Sequence, residues 1–211
     1  MSERIIKWGF IGCGEVTKYK SGPAFQKIEN SEVVAVMSRN GDKAKTYAKE
    51  RGIPKWYDDA QELIDDEEVN AVYIATPPSS HATYAIMSMK AGKPVYIEKP
   101  MAVTYEECCR INRISQETGV PCFVAHESAR EDRIEIIGDK GMICFSVFTY
   151  DPIALHTERG REEIIVENPT YVQQPLIQAV VDHLLGKSVC GCDGESATLT
   201  NWVMDKILNK L

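Results

Sequence analysis

The chain has no surplus of positive charge: 24 Lys and Arg stand against 31 Asp and Glu, for a net charge of −7. Sequence-independent nucleic-acid binding needs a basic face, so no nucleic-acid partner is expected. No stretch reaches the roughly 18 consecutive apolar residues of a membrane span. Met1-Ser2-Glu3-Arg4 runs straight into a strand, without the basic and then apolar layout of a secretory signal. Metal spacing is missing too: Cys190-Gly191-Cys192 has a single spacer, and no second Cys or His pair follows it. The seven cysteines are odd in number and several lie in apolar runs, where a thiol packs as a small hydrophobe. A reducing cytoplasm is therefore expected. Internal repeats and low-complexity tracts are also lacking. What is left, 44% hydrophobic and 26% charged, is the balance of a globular chain able to bury a core.

Short apolar runs recur along the first 124 residues. Ile5–Ile11, Glu32–Met37, Asn70–Ala75, Pro94–Ile97 and Pro121–Val124 each read as a strand apolar on both faces, which belongs inside a parallel sheet covered by helices. Between them, Asp58-Asp59-Ala60-Gln61 and Thr104-Tyr105-Glu106-Glu107 have the pattern of capping boxes. Gly52, Gly92 and Gly119 stand where helices should stop, each with a proline within two residues. Strands alternating with helices predict a doubly wound α/β sheet of Rossmann type over residues 1–124.

Gly12-Cys13-Gly14-Glu15-Val16-Thr17 closes the first strand, a G-x-G-x-x-G pattern with Thr17 in the third position. In that context Gly12 makes a tight turn and Gly14 lets backbone approach a pyrophosphate. The N–H groups around Glu15 and Val16, with the helix dipole, hold the anion. The expected ligand is a nicotinamide dinucleotide. At the end of the second strand the acid that would bond the ribose of NAD is lacking, and Ser38-Arg39-Asn40 stands there instead. Arginine offers a planar fork for a 2′-phosphate, so NADP is favoured, with NAD left open. The same missing acid argues against a methyltransferase sheet.

Two further motifs follow strands: Ala75-Thr76-Pro77-Pro78-Ser79-Ser80-His81 and Glu98-Lys99-Pro100. Together with Gly12-Cys13-Gly14, they make residues 5–124 resemble the glucose-fructose oxidoreductase/inositol dehydrogenase/rhizopine-catabolism (Gfo/Idh/MocA) oxidoreductase family. The resemblance implies that Thr76, Pro77 and His81 line the nicotinamide side of the cofactor site, with Glu98 beside it. It implies that Lys99 is the catalytic residue, bonded to the substrate hydroxyl or carbonyl and steering its proton. For His81 a helix-start residue satisfied by backbone is the other reading. The implied activity is hydride transfer between NADP or NAD and a sugar, cyclitol or related polyol. The alternative is a weakly active or inactive dinucleotide-binding sensor, or partner of a full-length enzyme.

The resemblance weakens beyond residue 124. Family members spend more residues on an α+β substrate domain than the 87 that follow (211 − 124). Residues 125–211 are expected to be a shortened remnant of it. They should contain a hairpin near 133–141, strands over 141–148 and 163–166, and helices over 171–185 and 195–211, the last capped by Asp193. Such a remnant has two or three strands and exposes sheet faces, which predicts a homo-oligomer. His126 is a possible substitute acid or base, and His183 a helix-face residue.

Overall fold

The computed structural model describes residues 5–125, 134–146, 151–167, 169–171 and 173–208. Residues up to 126 and from 173 onward form one compact unit, and residues 127–172 a second. The division differs from the expected boundary at 124/125, because the last two helices join the first unit. None of the described helices is long and apolar enough to cross a membrane.

The first unit is built on β1 (Ile6–Ile11), β2 (Ser31–Met37), β3 (Lys55–Tyr57), β4 (Ala71–Ile74), β5 (Val95–Glu98) and β6 (Cys122–Ala125). All six are parallel, in the order β3-β2-β1-β4-β5-β6. This is the doubly wound order whose strand sequence reverses between β1 and β4, and ligands bind at that switch point. The register aligns Phe10, Tyr73, Tyr96 and Phe123 across one face, and Ile11, Ile74, Ile97 and Val124 across the other. Strands central to such a sheet must be apolar on both faces, and these side chains are at most 2% exposed.

The helices cover both faces. On the aliphatic face α3 (Ala60–Asp65), α4 (His81–Lys90) and α5 (Tyr105–Thr118) bury Leu63, Met89 and Ile111. On the aromatic face Phe25 of α1 (Gly22–Phe25) packs edge-on to Trp8 and Phe10, with ring centroids 5.0 and 4.9 Å apart. The caps carry the sequence signals with one shift. Thr104 accepts from Glu107 N as expected, whereas α3 is capped by Asp59, which accepts from Gln61 N and Glu62 N, and not by Asp58. Asn40 caps α2 (Gly41–Arg51) through Lys43 N.

Two features of this unit differ from the sequence reading. Strand β3 is unexpected: its three residues form a partly exposed edge with no apolar alternation to reveal it. The glycine loop leads into a five-residue π-helical turn, Val16–Lys20, and then the four-residue α1, where a regular first helix was expected. Ser21 N donates to Val16 O at 3.0 Å, the wider π-type bond, just before Pro23, which lacks an N–H.

The C-terminal helices are α6 (Gln174–Leu184) and α7 (Gly194–Ile207), close to the expected spans, with Asp193 capping α7 through Ser196 N. Ile177, Val180 and Val181 of α6 are fully buried, each contributing about 1.5–3 kcal/mol. His183 lies on that helix face, edge-on to Phe123 and accepting from Cys190 N at 3.0 Å. Helix α7 is held by polar groups: Tyr105 N donates to Asp205 Oδ2 (2.6 Å), Asn201 Nδ2 to Ala102 O (3.1 Å) and Asn112 Nδ2 to Thr198 Oγ1 (2.8 Å).

The second unit is a four-stranded antiparallel sheet, β10-β9-β8-β7, made of β7 (Ile134–Gly138), β8 (Gly141–Phe145), β9 (Ile153–Thr157) and β10 (Gly160–Ile164). That is more than the two or three strands expected, and the last lies earlier than 163–166. Directly opposed residues share a face. The register therefore gathers Ile134, Ile136, Ile143, Phe145, Leu155 and Ile164 on one side, where Ile136 is 56% exposed.

Candidate functional site

The three motifs converge at the carboxyl ends of β1, β4 and β5, beside the switch point. Gly12 has φ +119°, and a Cβ there would lie 2.6 Å from Ala75 O, so only glycine lets the loops after β1 and β4 approach. Gly14 is the opposite case: a Cβ would meet nothing within 4 Å. Its surroundings are open space, as a loop that admits a ligand to its backbone requires. Among the described residues no carbonyl or side chain takes the N–H of Gly14 or Glu15. Glu15 is exposed and Val16 half-buried. Thr17, which replaces the third glycine, is fully buried and turns its hydroxyl back onto Gly14 O at 2.9 Å, while Tyr47 donates to Thr17 O at 2.7 Å.

A cleft of about 550 Å³ opens over this loop, lined by Cys13, Gly14, Glu15, Lys18, Asn40, Lys43 and Tyr47 among others. Burial pushes the Cys13 thiol up to about 11, against the pull of Lys43, so it stays a protonated thiol, directed at Met37 O. Ser38 and Arg39 follow β2 and directly precede Asn40 of the cleft lining. Ser38 Oγ accepts from Asn40 N at 3.3 Å, and Arg39 is exposed. A cleft of equal volume at the other end of the strands, lined by Asn70, Lys93, Pro94 and His183, holds none of the motif residues.

At the loop after β4, Thr76 is half-buried, Pro77 exposed, and Ser80 Oγ donates to Thr76 Oγ1 at 2.8 Å. His81 is fully buried, its Nε2 2.7 Å from Thr76 O and its Nδ1 3.0 Å from Pro100 O. The ring is thus buried between two backbone carbonyls, the backbone contact of the second reading given for this residue. Packing at the start of α4 turns the ring inward.

Glu98 and Lys99 part company. Glu98 is 7% exposed and surrounded by donors: Tyr73 Oη at 2.5 Å and Gln173 Nε2 at 3.1 Å to Oε1, and Lys99 N at 3.3 Å to Oε2. Lys99 is exposed, and its peptide bond to Pro100 is cis. Tyr73, Ser21 and Gln173 were not singled out from the sequence; only the strand register brings them to Glu98. His126 lies outside the described residues. His156 sits on β9 opposite Met142 and Arg161.

The chain is 48% identical over 124 residues to Oxidoreductase P35 of Formosa agariphila, a match covering 59% of this chain and 39% of that protein. It is 30% identical over 122 residues to the scyllo-inositol 2-dehydrogenase (NAD(+)) of Bacillus subtilis, covering 58% and 36%. Against the 1,5-anhydro-D-fructose reductase of Ensifer adhaerens it is 33% identical over 120 residues, covering 57% and 36%. The matched stretch thus spans less than two-fifths of these relatives. Among solved structures, a 3-ketoreductase from Actinomadura kijaniata in complex with NADP superposes with a TM-score of 0.74 at 17% identity, covering 92% of this chain and 94% of that one, a likeness of fold. Residues 6–126 match the model of the oxidoreductase family with an NAD-binding Rossmann fold, and the chain accordingly belongs to the Gfo/Idh/MocA family.

Proposed function

We propose that the chain is an NADP-preferring, NAD(P)-dependent oxidoreductase acting on the CH–OH group of a sugar, cyclitol or related polyol. One observation carries the reading: Gly12, Gly14, Thr76 and Lys99 follow three neighbouring strands at the switch point of a doubly wound sheet. The residues present fit a dinucleotide. Gly14 has open space above it, and the Gly14 and Glu15 N–H groups have no partner among the described residues. The cleft over the loop has room for part of such a ligand. Gly14, Glu15 and Val16 would hold the pyrophosphate, Ser38 and Arg39 the adenosine end, and Thr76, Pro77 and Glu98 the turn of chain near the nicotinamide.

When bound, the dinucleotide supplies or accepts the hydride. The protein's part is to orient and to move a proton. Lys99 Nζ, on an exposed side chain, donates a hydrogen bond to the substrate oxygen and holds or releases its proton. Glu98 fixes the start of that turn through Lys99 N. The substrate classes named for the inositol dehydrogenase and anhydrofructose reductase support a polyol or sugar substrate. The apolar face of the second unit supports a homo-oligomer, and the free cysteines support a reducing compartment such as the cytoplasm. A panel of polyols and sugars, read at the absorbance band of the reduced nicotinamide, tests the reading. Turnover dependent on a polyol or sugar and on NAD(P) is expected; its absence across the panel would contradict the activity.

A further inference from the structure

We propose that Tyr73 is a positioning residue that sets the spacing between the dinucleotide loop and the Glu98-Lys99-Pro100 turn. The inference rests on the reading of those two segments given above. Tyr73 stands on β4, between the two strands that carry them, and is fully buried. Its ring stacks on Tyr96 and packs edge-on to Phe10, with centroids 5.4 and 5.0 Å away. A phenylalanine would fill that space as well, so packing alone gives no reason for the hydroxyl.

The hydroxyl has two partners. It donates to Glu98 Oε1 at 2.5 Å, and Ser21 Oγ lies 2.7 Å from it. A carboxylate only accepts, so the phenol proton goes to Glu98, and the one Ser21 hydroxyl proton serves the second bond, the shorter of its two contacts, with Val16 O at 3.3 Å the other acceptor. Burial, reinforced by the Glu98 charge, pushes the Tyr73 phenol well above its ordinary value, which keeps it a donor. Ser21 closes the π-helical turn Val16–Lys20, and its own N–H donates to Val16 O. At the other end, Glu98 Oε2 accepts from Lys99 N. A string of hydrogen bonds, buried at Ser21, Tyr73 and Glu98, thus runs from the turn after the glycine loop to the backbone of Lys99. Where its members are buried such a string transmits position, because breaking one link leaves its neighbours unpaired.

The test compares ligands that span one or both ends of the string. Calorimetric titration of the full chain, its Tyr73→Phe and Ser21→Ala variants and the double variant would use NADPH and adenosine 2′,5′-bisphosphate. Tyr73→Phe should weaken NADPH binding about tenfold, the effect of one lost hydrogen bond to a charged group. The half-ligand, which reaches the glycine loop but not the Glu98-Lys99-Pro100 turn, should keep its affinity within about twofold. Ser21→Ala should show the same split, and the double variant should bind no worse than the weaker single, as links of one chain do. If Tyr73→Phe does not fold, Ser21→Ala carries the same comparison. Equal losses for both ligands, no loss, or additive losses would overturn the positioning role while leaving the cofactor reading intact. A wild-type chain that binds neither ligand would overturn the cofactor reading and this proposal with it.

Discussion

Nε2 of His81 stands 2.7 Å from the carbonyl oxygen of Thr76, and the other side of the same buried ring reaches Pro100 O. One side chain therefore fastens the loop after β4 to the turn after β5. His81→Leu would remove the ring's N–H donor and leave a part-buried carbonyl oxygen unpaired, at a cost of about 1–3 kcal/mol. Urea unfolding of the two proteins measures it. A midpoint unchanged by the substitution would show that the ring holds nothing.

The exposed Arg39 follows β2 at the place where an acid would bond the ribose hydroxyls of NAD. Arg39→Asp removes the fork and puts a negative charge against a 2′-phosphate. The wild type should bind NADPH more tightly than NADH, and the variant should reverse that order. Calorimetry with both cofactors reads it directly, and a wild type that favours NADH or shows no preference would contradict the assignment.

For Lys99 the expectation is a split between binding and turnover. Its side chain is exposed and takes no part in the core, so Lys99→Ala should fold normally. Cofactor affinity should stay within a few-fold, while turnover with any substrate falls by about 10²–10⁴, the usual weight of a general acid or base. A variant retaining near-wild-type turnover would remove Lys99 from the chemistry.

Asp66 gives the fold a pH signature. Burial raises its pKa, but donation from Lys55 Nζ (2.9 Å to each oxygen), from Glu68 N and from Tyr57 outweighs this and holds the carboxyl below its ordinary range. The folded pKa is thus below the unfolded one. The stabilisation is complete above the unfolded value of about 3.9 and is lost as pH falls through the folded value. Half-exposed Lys55 is screened, so the contribution is about 1 kcal/mol or less. Melting temperatures of wild type and Asp66→Asn should differ at pH 7 and converge as pH falls below about 4. A gap that holds constant to pH 2.5 would refute the account.

These residues also show where the sequence could be read and where it could not. Strands apolar on both faces, such as Ala71–Ile74, announce a buried parallel sheet, and the loops after them announce the site. Lys55-Trp56-Tyr57 gives no such signal, because an edge strand of three residues is held by pairing with β2 and by Asp66, not by a pattern of its own. Tyr73 reads as one more apolar strand residue; its bond to Glu98, 25 positions away, exists only through the register of β4 against β5. The inward face of α7 carries Thr198, Asn201 and Asp205, so polarity pointed the wrong way and hid its partner, α5. That is why residues 173–208 were expected in the second domain and are found in the first.

The central claim, a dinucleotide held over the glycine loop, is tested most directly by Gly14→Val. The free protein has nothing within 4 Å of a Cβ at this position, so the variant should match wild type in circular dichroism and thermal unfolding. The added side chain would occupy the space assigned to the pyrophosphate. Titration followed by NADPH fluorescence should show saturable binding to the wild type and a loss of at least about a hundredfold in the variant, or roughly 2.7 kcal/mol. A folded Gly14→Val chain that binds NADPH as wild type does would place the cofactor elsewhere and contradict the account.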